Sequence, residues 1–587
     1  MRAVDRAERW SASPLLSPLT AVPVLGDQVE GLRAITANVG ALADAGDDAL
    51  DRVEAGLRDT GEGGRLRLVR TALDAVRDVE ARARELPEVD DGELLGPLRR
   101  ASSRLEAEID DLPARFDELE GHLETAHDLL EGPTRVLLVA ANNAEMRAGM
   151  GMHLSAGVIT VEDGDFESSR FFQTGAITLR TQGRADVPEE LAALYQRIWD
   201  FGHEWRTTST TPDFRTVGRI LADLAARSPI GAIDMVVSLD VPALATMMEA
   251  TGPVVVDDEV VSADNAVDVL LRDNYLRLGE VDERHERRDL QSRIAGTIFD
   301  TVTERDVDVV DLASALTDAA EGRHLMGWSA DDGVQRLWES LGADGALTAD
   351  SFLVAAQNAS ASKRDYYLDP VVHLLPLDPP RTPAEGVGDR RRYRASLELA
   401  NPVVRPTAPY IDSLNRYVPV GVHRAFVTFT LPGAARDVRV IEGKPAGVGT
   451  DGPTRVATAW LRVPEGSTGR ASVEFTLPGD ARRLEIVPGA RVRPTEYRVG
   501  PVSVLDGVPR TVQVPEIPGH SRQEPQPLAA AALVAAFTAV ALGASRARRL
   551  SGPAPDLEAA RGDGRLATSA ALLAAVLALV AGLVQRS

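Results

Sequence analysis

The sequence predicts a multidomain α+β protein. Its expected parts are an N-terminal helical bundle, a central α/β domain with a mixed sheet, a β-sandwich-like domain and a C-terminal transmembrane helical hairpin. Three observations support this fold class. The 587 residues exceed what one hydrophobic core organises. The apolar pattern changes along the chain from helical periodicity to alternating strands and helices, and then to short strands. Two apolar segments lie near the end. The predicted boundaries are 1–131, 132–380, 389–515, 528–544 and 566–584.

Composition limits the possible classes of function. The net charge of −24 and the pI near 4.9 argue against nucleic acid as a partner, because its phosphates would be repelled. The chain has no cysteine, which excludes disulfides, thiolate zinc sites and cysteine nucleophiles. Its only lysines are Lys363 and Lys444, while alanine, arginine, aspartate and valine abound. We interpret this bias as that of a GC-rich, actinobacterial genome.

The region from Val29 to Leu130 is acidic, alanine-rich and helical in pattern. Apolar residues recur there at steps of four and three, which is the spacing of a helix-packing seam. The seam consists of Leu105, Ile109, Leu112, Phe116, Leu119 and Leu123. Pro113 interrupts it and is expected to start a new helix or to kink the old one. Packing inside a bundle is favoured over a partner-binding stalk.

The central domain begins with a short apolar run, Arg135–Ala141, that is typical of a buried strand. A second strand is predicted at Leu154–Val161, followed by Asp163 and Gly164, a pair that favours a tight hairpin turn. The polar connection between the two strands carries Asn142, Asn143, Glu145 and Arg147, with Gly149 and Gly151 after them. Open α/β sheets place ligands where a buried strand ends, so these four polar residues are candidate ligand-binding residues.

Further elements continue the α/β pattern. Ile233–Leu239 is predicted as a buried strand, Pro242–Ala250 as a helix and Val254–Val256 as a strand. Ser262 or Asp264 is expected to cap a helix that runs through Leu271. A further helix is expected from Arg287 to Val302.

A proline-rich break at Leu377–Pro380 separates this region from a set of short strands with turn residues between them. Their spacing predicts an antiparallel β-sandwich that folds by itself. The predicted strands are Tyr393–Leu399, Ala425–Leu431, Val438–Ile441, Thr458–Val463, Ala471–Leu477 and Arg483–Val487.

The segments 528–544 and 566–584 have no charged residue and approach the length that spans a bilayer, although both are alanine-rich. The loop between them carries Arg546, Arg548, Arg549, Arg561 and Arg565. Because positive loops stay in the cytoplasm, this pattern predicts a protein of the cell membrane with the bulk of the chain extracytoplasmic. No signal peptide precedes that bulk, which conflicts with this placement unless the start codon of the sequence is too late and an apolar helix is encoded upstream.

The string from Asn142 to Gly151, NNAEMRAGMG, resembles the signature of the domain-of-unknown-function 4012 (DUF 4012) family of bacterial envelope proteins. Met150 stands where that family has the first of two glycines. Later blocks agree in order, namely Thr211–Phe214, Ile233–Asp240, Thr251–Val254 and Asp264–Asn265. The resemblance covers roughly Val22 to the end of the β-rich region. It implies a location and an architecture, because the family has no agreed biochemical activity.

Arginines provide the other candidate ligand-binding residues. Arg284, Arg287, Arg288 and Arg293 crowd the start of a predicted helix. Guanidinium groups bind phosphate through paired hydrogen bonds, and a helix N-terminus adds partial positive charge. The alternative is a solvated helix face held by local ion pairs, since acidic residues alternate with these arginines, and it is the commoner arrangement.

The order of strand, helix and arginine-rich helix after Ile233 is also weakly similar to the LytR-CpsA-Psr phosphotransferases. That similarity implies a polyprenyl-pyrophosphate-linked glycopolymer as ligand and a Mg²⁺ site, for which Asp234 is a candidate, although a structural cap is the simpler role. Their Ile-Pro-Arg-Asp block has no counterpart here. Two hypotheses therefore stand. One is a membrane-anchored envelope protein that binds or organises cell-surface glycopolymer, without a cofactor and without catalysis. The other is a divergent phosphotransferase.

Overall fold

The computed structural model describes residues 25–57, 64–87, 96–169, 171–280, 309–377, 390–413 and 417–515. It also describes residues 89 and 415 and a few positions between 282 and 301. The described residues form two compact units: one contains those between 25 and 132 together with 162–165, and the other contains those in 133–161 and between 166 and 515.

The first unit contains three long helices. They are α1 (Leu25–Leu57), α2 (Gly64–Arg84) and α3 (Gly96–Glu131). Helix α2 packs against both α1 and α3. Pro113 lies inside α3 and does not end it. Leu123 is buried, whereas Leu105, Ile109 and Leu112 are half-buried, as expected for a seam that faces neighbouring helices.

The predicted C-terminal transmembrane hairpin has to be removed from the fold class. None of the helices in the described parts of the chain is long and apolar enough to cross a membrane, and the long ones carry many charged side chains. The segments 528–544 and 566–584 lie outside the described residues. The fold class is therefore corrected to a mixed α+β protein with several sheets.

The first sheet of the second unit is mixed, as the sequence indicated. Its strand order is β3-β2-β1-β5-β8, with β4 beside β2. Strands β1 and β5 run parallel, while β2 and β8 lie antiparallel to their neighbours. A separate antiparallel ribbon consists of β6 and β7. The strands are β1 (Thr134–Met146), β2 (Gly151–Glu162), β3 (Asp165–Ser168), β4 (Phe172–Gln173), β5 (Met235–Asp240), β6 (Val254–Val256), β7 (Glu259–Val261) and β8 (Leu325–Ser329).

Helices surround this sheet. They are α4 (Thr174–Thr178), α5 (Glu189–Leu191), α6 (Arg197–Trp199), α7 (Phe214–Ala226), α8 (Val241–Thr251), α9 (Ala266–Asp268), α10 (Asn274–Arg277), α11 (Val309–Glu321) and α12 (Asp332–Ser340). Single π-helical turns lie at Ala192–Gln196 and Val269–Asp273, and a 3₁₀ turn lies at Trp205–Thr210. The residue that precedes α9 is Asn265, not Ser262 or Asp264, and its side chain accepts a hydrogen bond from the backbone N–H of Ser262.

Capping side chains explain where the two central helices begin. The carboxylate of Asp213 accepts a hydrogen bond from the backbone N–H of Arg215 and so caps α7. Asp240 accepts one from the N–H of Ala243 and caps α8, which ends at Gly252 with φ of 81°. The predicted helix Pro242–Ala250 is thereby confirmed.

Two six-stranded sheets pack face to face and form a β-sandwich, as expected, but the sheets are not purely antiparallel. Asp369–Pro376 pairs in parallel with Glu496–Val499, and Ser351–Asn358 with Arg483–Ile486. Their orders are β13-β16-β11-β10-β18-β19 and β14-β15-β12-β9-β17-β20. One hydrophobic core contains side chains from both sheets, such as Tyr393, Leu397, Val427 and Phe475. A short helix, α13 (Pro409–Asp412), and a 3₁₀ turn (Arg364–Tyr366) lie in its connections. The strands are β9 (Ser351–Asn358), β10 (Asp369–Pro376), β11 (Arg390–Asn401), β12 (His423–Leu431), β13 (Arg436–Glu442), β14 (Lys444–Asp451), β15 (Thr454–Val463), β16 (Ser467–Pro478), β17 (Arg483–Ile486), β18 (Glu496–Val499), β19 (Val502–Leu505) and β20 (Arg510–Gln513).

Strands β9 and β10 precede the proline-rich break, yet each occupies an inner position of a sheet. Strand β9 lies between β12 and β17, and β10 lies between β11 and β18. A fragment that begins at residue 389 lacks both strands. The expectation that this segment folds alone conflicts with that topology, because removing an inner strand exposes two rows of backbone hydrogen-bonding groups.

The second sheet of the sandwich is covered on its other face as well. Phe426 and Trp460 project from β12 and β15 onto Tyr195 and Trp199, with ring centroids 4.9–6.5 Å apart. Strand β12 is therefore buried on both faces, and eight of its nine residues are buried. The segment that carries Tyr195 and Trp199 therefore forms a third layer of this unit, beside the two sheets of the sandwich. Residues of the family signature lie next to the contact between these aromatic side chains.

Candidate functional site

The carboxyl ends of the parallel strands β1 and β5 bring polar side chains together. The Nδ2 atom of Asn143 donates to Oδ2 of Asp240 at 2.6 Å, and Nδ1 of His324 lies 2.8 Å from the same oxygen. Asn143 also donates to the carbonyl of Ala490 at 2.9 Å. Burial lowers the pKa of His324, but the carboxylates of Asp240 and Asp506 outweigh it, so that pKa is raised. Asn143 thus ties β1 to β5 and to the loop after β17.

Asn142, Asn143 and Glu145 belong to β1 itself and not to a loop after it, because β1 continues to Met146. Arg147 is the first residue after the strand. Asn142 donates from Nδ2 to the hydroxyl of Tyr275 at 3.1 Å, and its Oδ1 accepts a hydrogen bond from the N–H of Ala144. A register shift between Asn142 and Met146 interrupts the pairing with β2. This irregularity lets neighbouring side chains of the signature face different partners.

The turn between β1 and β2 explains the glycines of the signature. A Cβ atom on Gly151 would lie 2.4 Å from the carbonyl carbon of Asn142, and one on Gly149 would lie 2.8 Å from the carbonyl oxygen of Thr211. Met150, which replaces a glycine of the family pattern, is fully buried and its sulfur contacts Ser238 Oγ. The turn is therefore packed on all sides by the chain.

Arg147 is buried where β1 meets the end of β9. Its NH1 group donates to the carbonyls of Met146 and Asn358 at 3.0 and 2.9 Å, and its guanidinium lies 4.7 Å from the ring centre of Trp199. Its buried Nε has no hydrogen-bond partner among the described residues. Burial lowers the pKa of Arg147 to about 10, although the nearby carboxylates of Glu145 and Asp365 raise it.

Glu145 forms a buried ion pair with Lys363, one of the chain's two lysines. The ammonium of Lys363 also lies 5.0 Å from the ring centre of Tyr275. Burial lowers the pKa of Lys363, but the Glu145 carboxylate and Tyr275 more than offset it, so the pKa is raised and the side chain stays charged. This ion pair links the family signature to a loop of the sandwich more than two hundred positions later in the chain.

The second predicted arginine group is only partly brought to the same place. Arg287 is buried, donates to the carbonyl of Leu278 and lies 5.0 and 4.0 Å from the ring centres of Tyr275 and Tyr410. Arg293 pairs instead with Asp257 at the surface, where both side chains are at least half exposed. The two other candidates, Arg284 and Arg288, lie outside the described residues.

A further ion pair completes the cluster. NH1 of Arg491 lies 3.7 Å from Oδ1 of Asp365, whose other oxygen accepts hydrogen bonds from Asn358 and from the N–H of Met146. Burial raises the pKa of Asp365 to about 6, although Arg491 opposes that shift. We define the cationic centre as Arg147, Arg287, Lys363 and Arg491 together with the carboxylates of Glu145 and Asp365.

Sequence reasoning missed half of this centre. Lys363, Asp365 and Arg491 lie in the connections of the sandwich, far along the chain from the signature. One signal was available for Lys363, because a lysine in a chain that otherwise uses arginine is unusual. No comparable signal distinguishes Asp365 or Arg491 from the many other acidic and basic residues.

Other candidate residues have structural roles. His153 is fully buried between Thr208 and Ser238, and burial lowers its pKa to about 3. Asp234 accepts a hydrogen bond from the N–H of Arg135, which fits the capping role. Among the described residues, a group able to offer three metal ligands consists of His127, Asp128 and Glu131, largely exposed on α3.

The structure so far defines a class: a multidomain α+β protein in which a mixed sheet packs on a β-sandwich, with a buried cationic centre where they meet. Residues 131–275 match the model of the family described as "Protein of unknown function (DUF4012)". That range contains the signature and the strands β1 and β5, and it ends at Tyr275, whose ring lies beside Arg287 and Lys363 of the cationic centre. No curated protein matches the chain.

Two solved structures show limited similarity. Protein gbs0355 from Streptococcus agalactiae matches with 10% identity and a TM-score of 0.24, over 37% of this chain and 74% of that chain. Lin1025 from Listeria innocua matches with 11% identity and a TM-score of 0.19, over 33% of this chain and 72% of that chain. At these TM-scores the similarity supports no conclusion about function.

Proposed function

We propose that this chain is an extracytoplasmic protein of the cell envelope that binds the pyrophosphate of a polyprenyl-linked glycopolymer without turning it over. The observation that carries the proposal is the charge of the cationic centre. Four cationic side chains meet two carboxylates, Glu145 and Asp365, which leaves an excess of two positive charges. A pyrophosphate diester carries one negative charge on each phosphoryl group and would balance that excess.

Burial makes this imbalance significant. Arg147, Arg287 and Lys363 are each at most 5% exposed, so water screens their charges poorly. A charge in such surroundings is costly unless a counter-charge or hydrogen bonds compensate it. The unpartnered Nε of Arg147 is a donor that an anionic oxygen could use. Planar guanidinium groups suit phosphoryl oxygens, since they form paired hydrogen bonds.

Binding without turnover is favoured over the phosphotransferase alternative. That reaction would need acidic ligands for Mg²⁺ beside the anion. The carboxylates of the centre are already engaged, Glu145 by Lys363 and Asp365 by Asn358 and Arg491. Asp234, the sequence candidate for a metal ligand, caps the backbone at the amino end of β1, whereas the centre lies at the carboxyl end.

Titration calorimetry of the full chain with geranyl pyrophosphate tests the proposal, with geraniol as the uncharged control. Binding should weaken as salt rises, because ions screen charge contacts. Lys363→Gln should weaken binding about tenfold or more, since it removes one of the charges, whereas Lys444→Gln, at the exposed lysine, should leave it unchanged. Arg147→Lys should also weaken binding, because lysine lacks the planar fork.

Because Lys363→Gln leaves Glu145 buried without its partner, a second variant is needed. Glu145→Gln removes a negative charge and keeps the shape of the side chain, so it should tighten binding. Absence of binding by the unaltered chain, or equal effects at Lys363 and Lys444, would contradict the proposal. Release of a phosphorylated or polyprenyl product with Mg²⁺ or Mn²⁺ would instead support the phosphotransferase.

A further inference from the structure

A cavity of about 440 Å³ lies where the ends of α4 and α7 come together. Its lining residues are Arg180, Gln182, Ala226, Arg227, Ser228 and Pro229. None of them belongs to the cationic centre. The backbone joins the two sides, because the N–H of Gln182 donates to the carbonyl of Arg227 at 2.9 Å. Its volume is within the range of sites that take small ligands.

The cavity is lined by hydrogen-bond donors that have spare capacity. The guanidinium of Arg180 makes no hydrogen bond or ion pair with any residue that the structure describes. Arg227 uses Nε to hold Asp223 at 2.9 Å, which leaves its two terminal nitrogens available. The side-chain amide of Gln182 adds a neutral polar group. The hydroxyl of Ser228 keeps only one acceptor position, because it donates to the carbonyl of Ala225 at 2.9 Å and accepts from the N–H of Ile230 at 3.2 Å. Such a set can accept an anion and hydroxyl groups together.

Local electrostatics favours an anion in this cavity. Two arginines face one carboxylate, Asp223, which is already shared between Arg227 and the N–H of Asp186. Helix α7 ends beside the cavity, and a helix C-terminus carries about half a negative charge, which opposes an anion. Two full positive charges exceed the sum of the Asp223 carboxylate and that partial charge by about half a charge, so the local balance still favours an anion.

We propose that this cavity between α4 and α7 binds a phosphate-bearing sugar, with Arg180 and Arg227 on the phosphate and with Gln182 and Ser228 on the sugar hydroxyls. The two guanidinium groups supply the paired donors that phosphate requires. The amide of Gln182 can donate to and accept from neutral sugar oxygens, and the hydroxyl of Ser228 can accept from one. The site is independent of the cationic centre, because the two share no side chain.

Ligand-observed ³¹P NMR of the full chain with glucose 6-phosphate tests the site. Arg180→Ala should weaken binding about tenfold, because it removes a charged donor pair. The matched control is Arg219→Ala, since Arg219 is an exposed arginine on α7 outside the cavity. Its effect should be negligible. Arg180 is exposed and makes no described contact, so its replacement should not disturb folding.

Two comparisons define the ligand and separate the two sites. Glucose should not compete with glucose 6-phosphate for the cavity, and glucuronate should bind more weakly than glucose 6-phosphate. Equal binding of glucuronate and glucose 6-phosphate would overturn the assignment of the site to phosphate. Lys363→Gln should leave glucose 6-phosphate binding unchanged, which distinguishes this site from the cationic centre. No binding by the unaltered chain, or equal effects of Arg180→Ala and Arg219→Ala, would overturn the proposal.

Discussion

Replacing the buried carboxyl of Asp451 by an amide should remove a large pH dependence of stability. Asp451 is fully buried, accepts one hydrogen bond from Thr211 Oγ1 at 2.6 Å and leaves Oδ1 without a partner among the described residues. Burial raises its pKa from 3.8 to about 7, and the nearby Asp213 and Glu190 add to that shift. The folded state therefore holds a proton that the unfolded state releases between about pH 4 and pH 7.

The sign follows from the raised pKa. The contribution of this carboxyl to stability is fully present below its unfolded pKa and is lost as the pH rises through the folded pKa. At 1.36 kcal/mol per pH unit, the difference between 3.8 and about 7 corresponds to about 4 kcal/mol. Asp451→Asn keeps an acceptor for Thr211 and has no charge, so we expect it to be more stable at pH 8 by up to that amount and nearly equal at pH 4.

Differential scanning calorimetry of the full chain at pH 4, 6 and 8 measures this effect. In a unit of several hundred residues each kcal/mol moves the melting temperature by roughly 1 °C, so the variant should gain about 4 °C over the unaltered chain at pH 8. Asp350→Asn, at an exposed aspartate, is the control and should follow the unaltered chain at every pH. Equal melting temperatures of Asp451→Asn and the unaltered chain at pH 8 would refute the reasoning.

Three other outcomes follow from the structure. Gly151→Ala should lower the free energy of unfolding, measured in denaturant melts, by about 3 kcal/mol, because the added Cβ would overlap the backbone of Asn142. The control is Gly46→Ala, in open space on α1, which should be neutral or stabilising. The fragment 389–515 should show no cooperative thermal transition by circular dichroism, and a sharp transition would contradict the inner positions of β9 and β10. NMR titration should place the pKa of His324 above 6.5, since the carboxylate of Asp240 raises this pKa by more than burial lowers it. The contribution of His324 to stability is therefore complete below pH 6.5 and is lost as the pH rises through the pKa of the folded state.

Local patterns were sufficient for several individual elements, although strands such as β9, β10 and β14 were not predicted. The apolar runs at the starts of β1 and β5 identified both strands, and the proline after Asp240 marked the start of α8. Asp163 and Gly164 both adopt positive φ, as the turn signal indicated. These features could be predicted because they depend only on residues that are close together in the chain. Backbone sterics and side-chain periodicity act over the same short range.

The extent of β1 was misjudged because polar residues normally mark a strand's end. Asn142, Asn143 and Glu145 remain in the strand, since partners elsewhere in the chain satisfy each of them. The sequence could nominate these residues, but it could not show that their partners are protein groups.

What the sequence determined by itself was part of the strands and helices, the family signature and Arg147 as a residue of interest. The tertiary structure decided which elements share a sheet and which charges meet. It placed β9 and β10 inside the sandwich, joined Glu145 to Lys363, and separated Arg287 in the cationic centre from Arg293 at the surface. The physical reason is that ion pairs and sheet neighbours depend on distance in space. The spacing of residues along the chain does not show which distant groups the folded core brings within a few ångströms of each other.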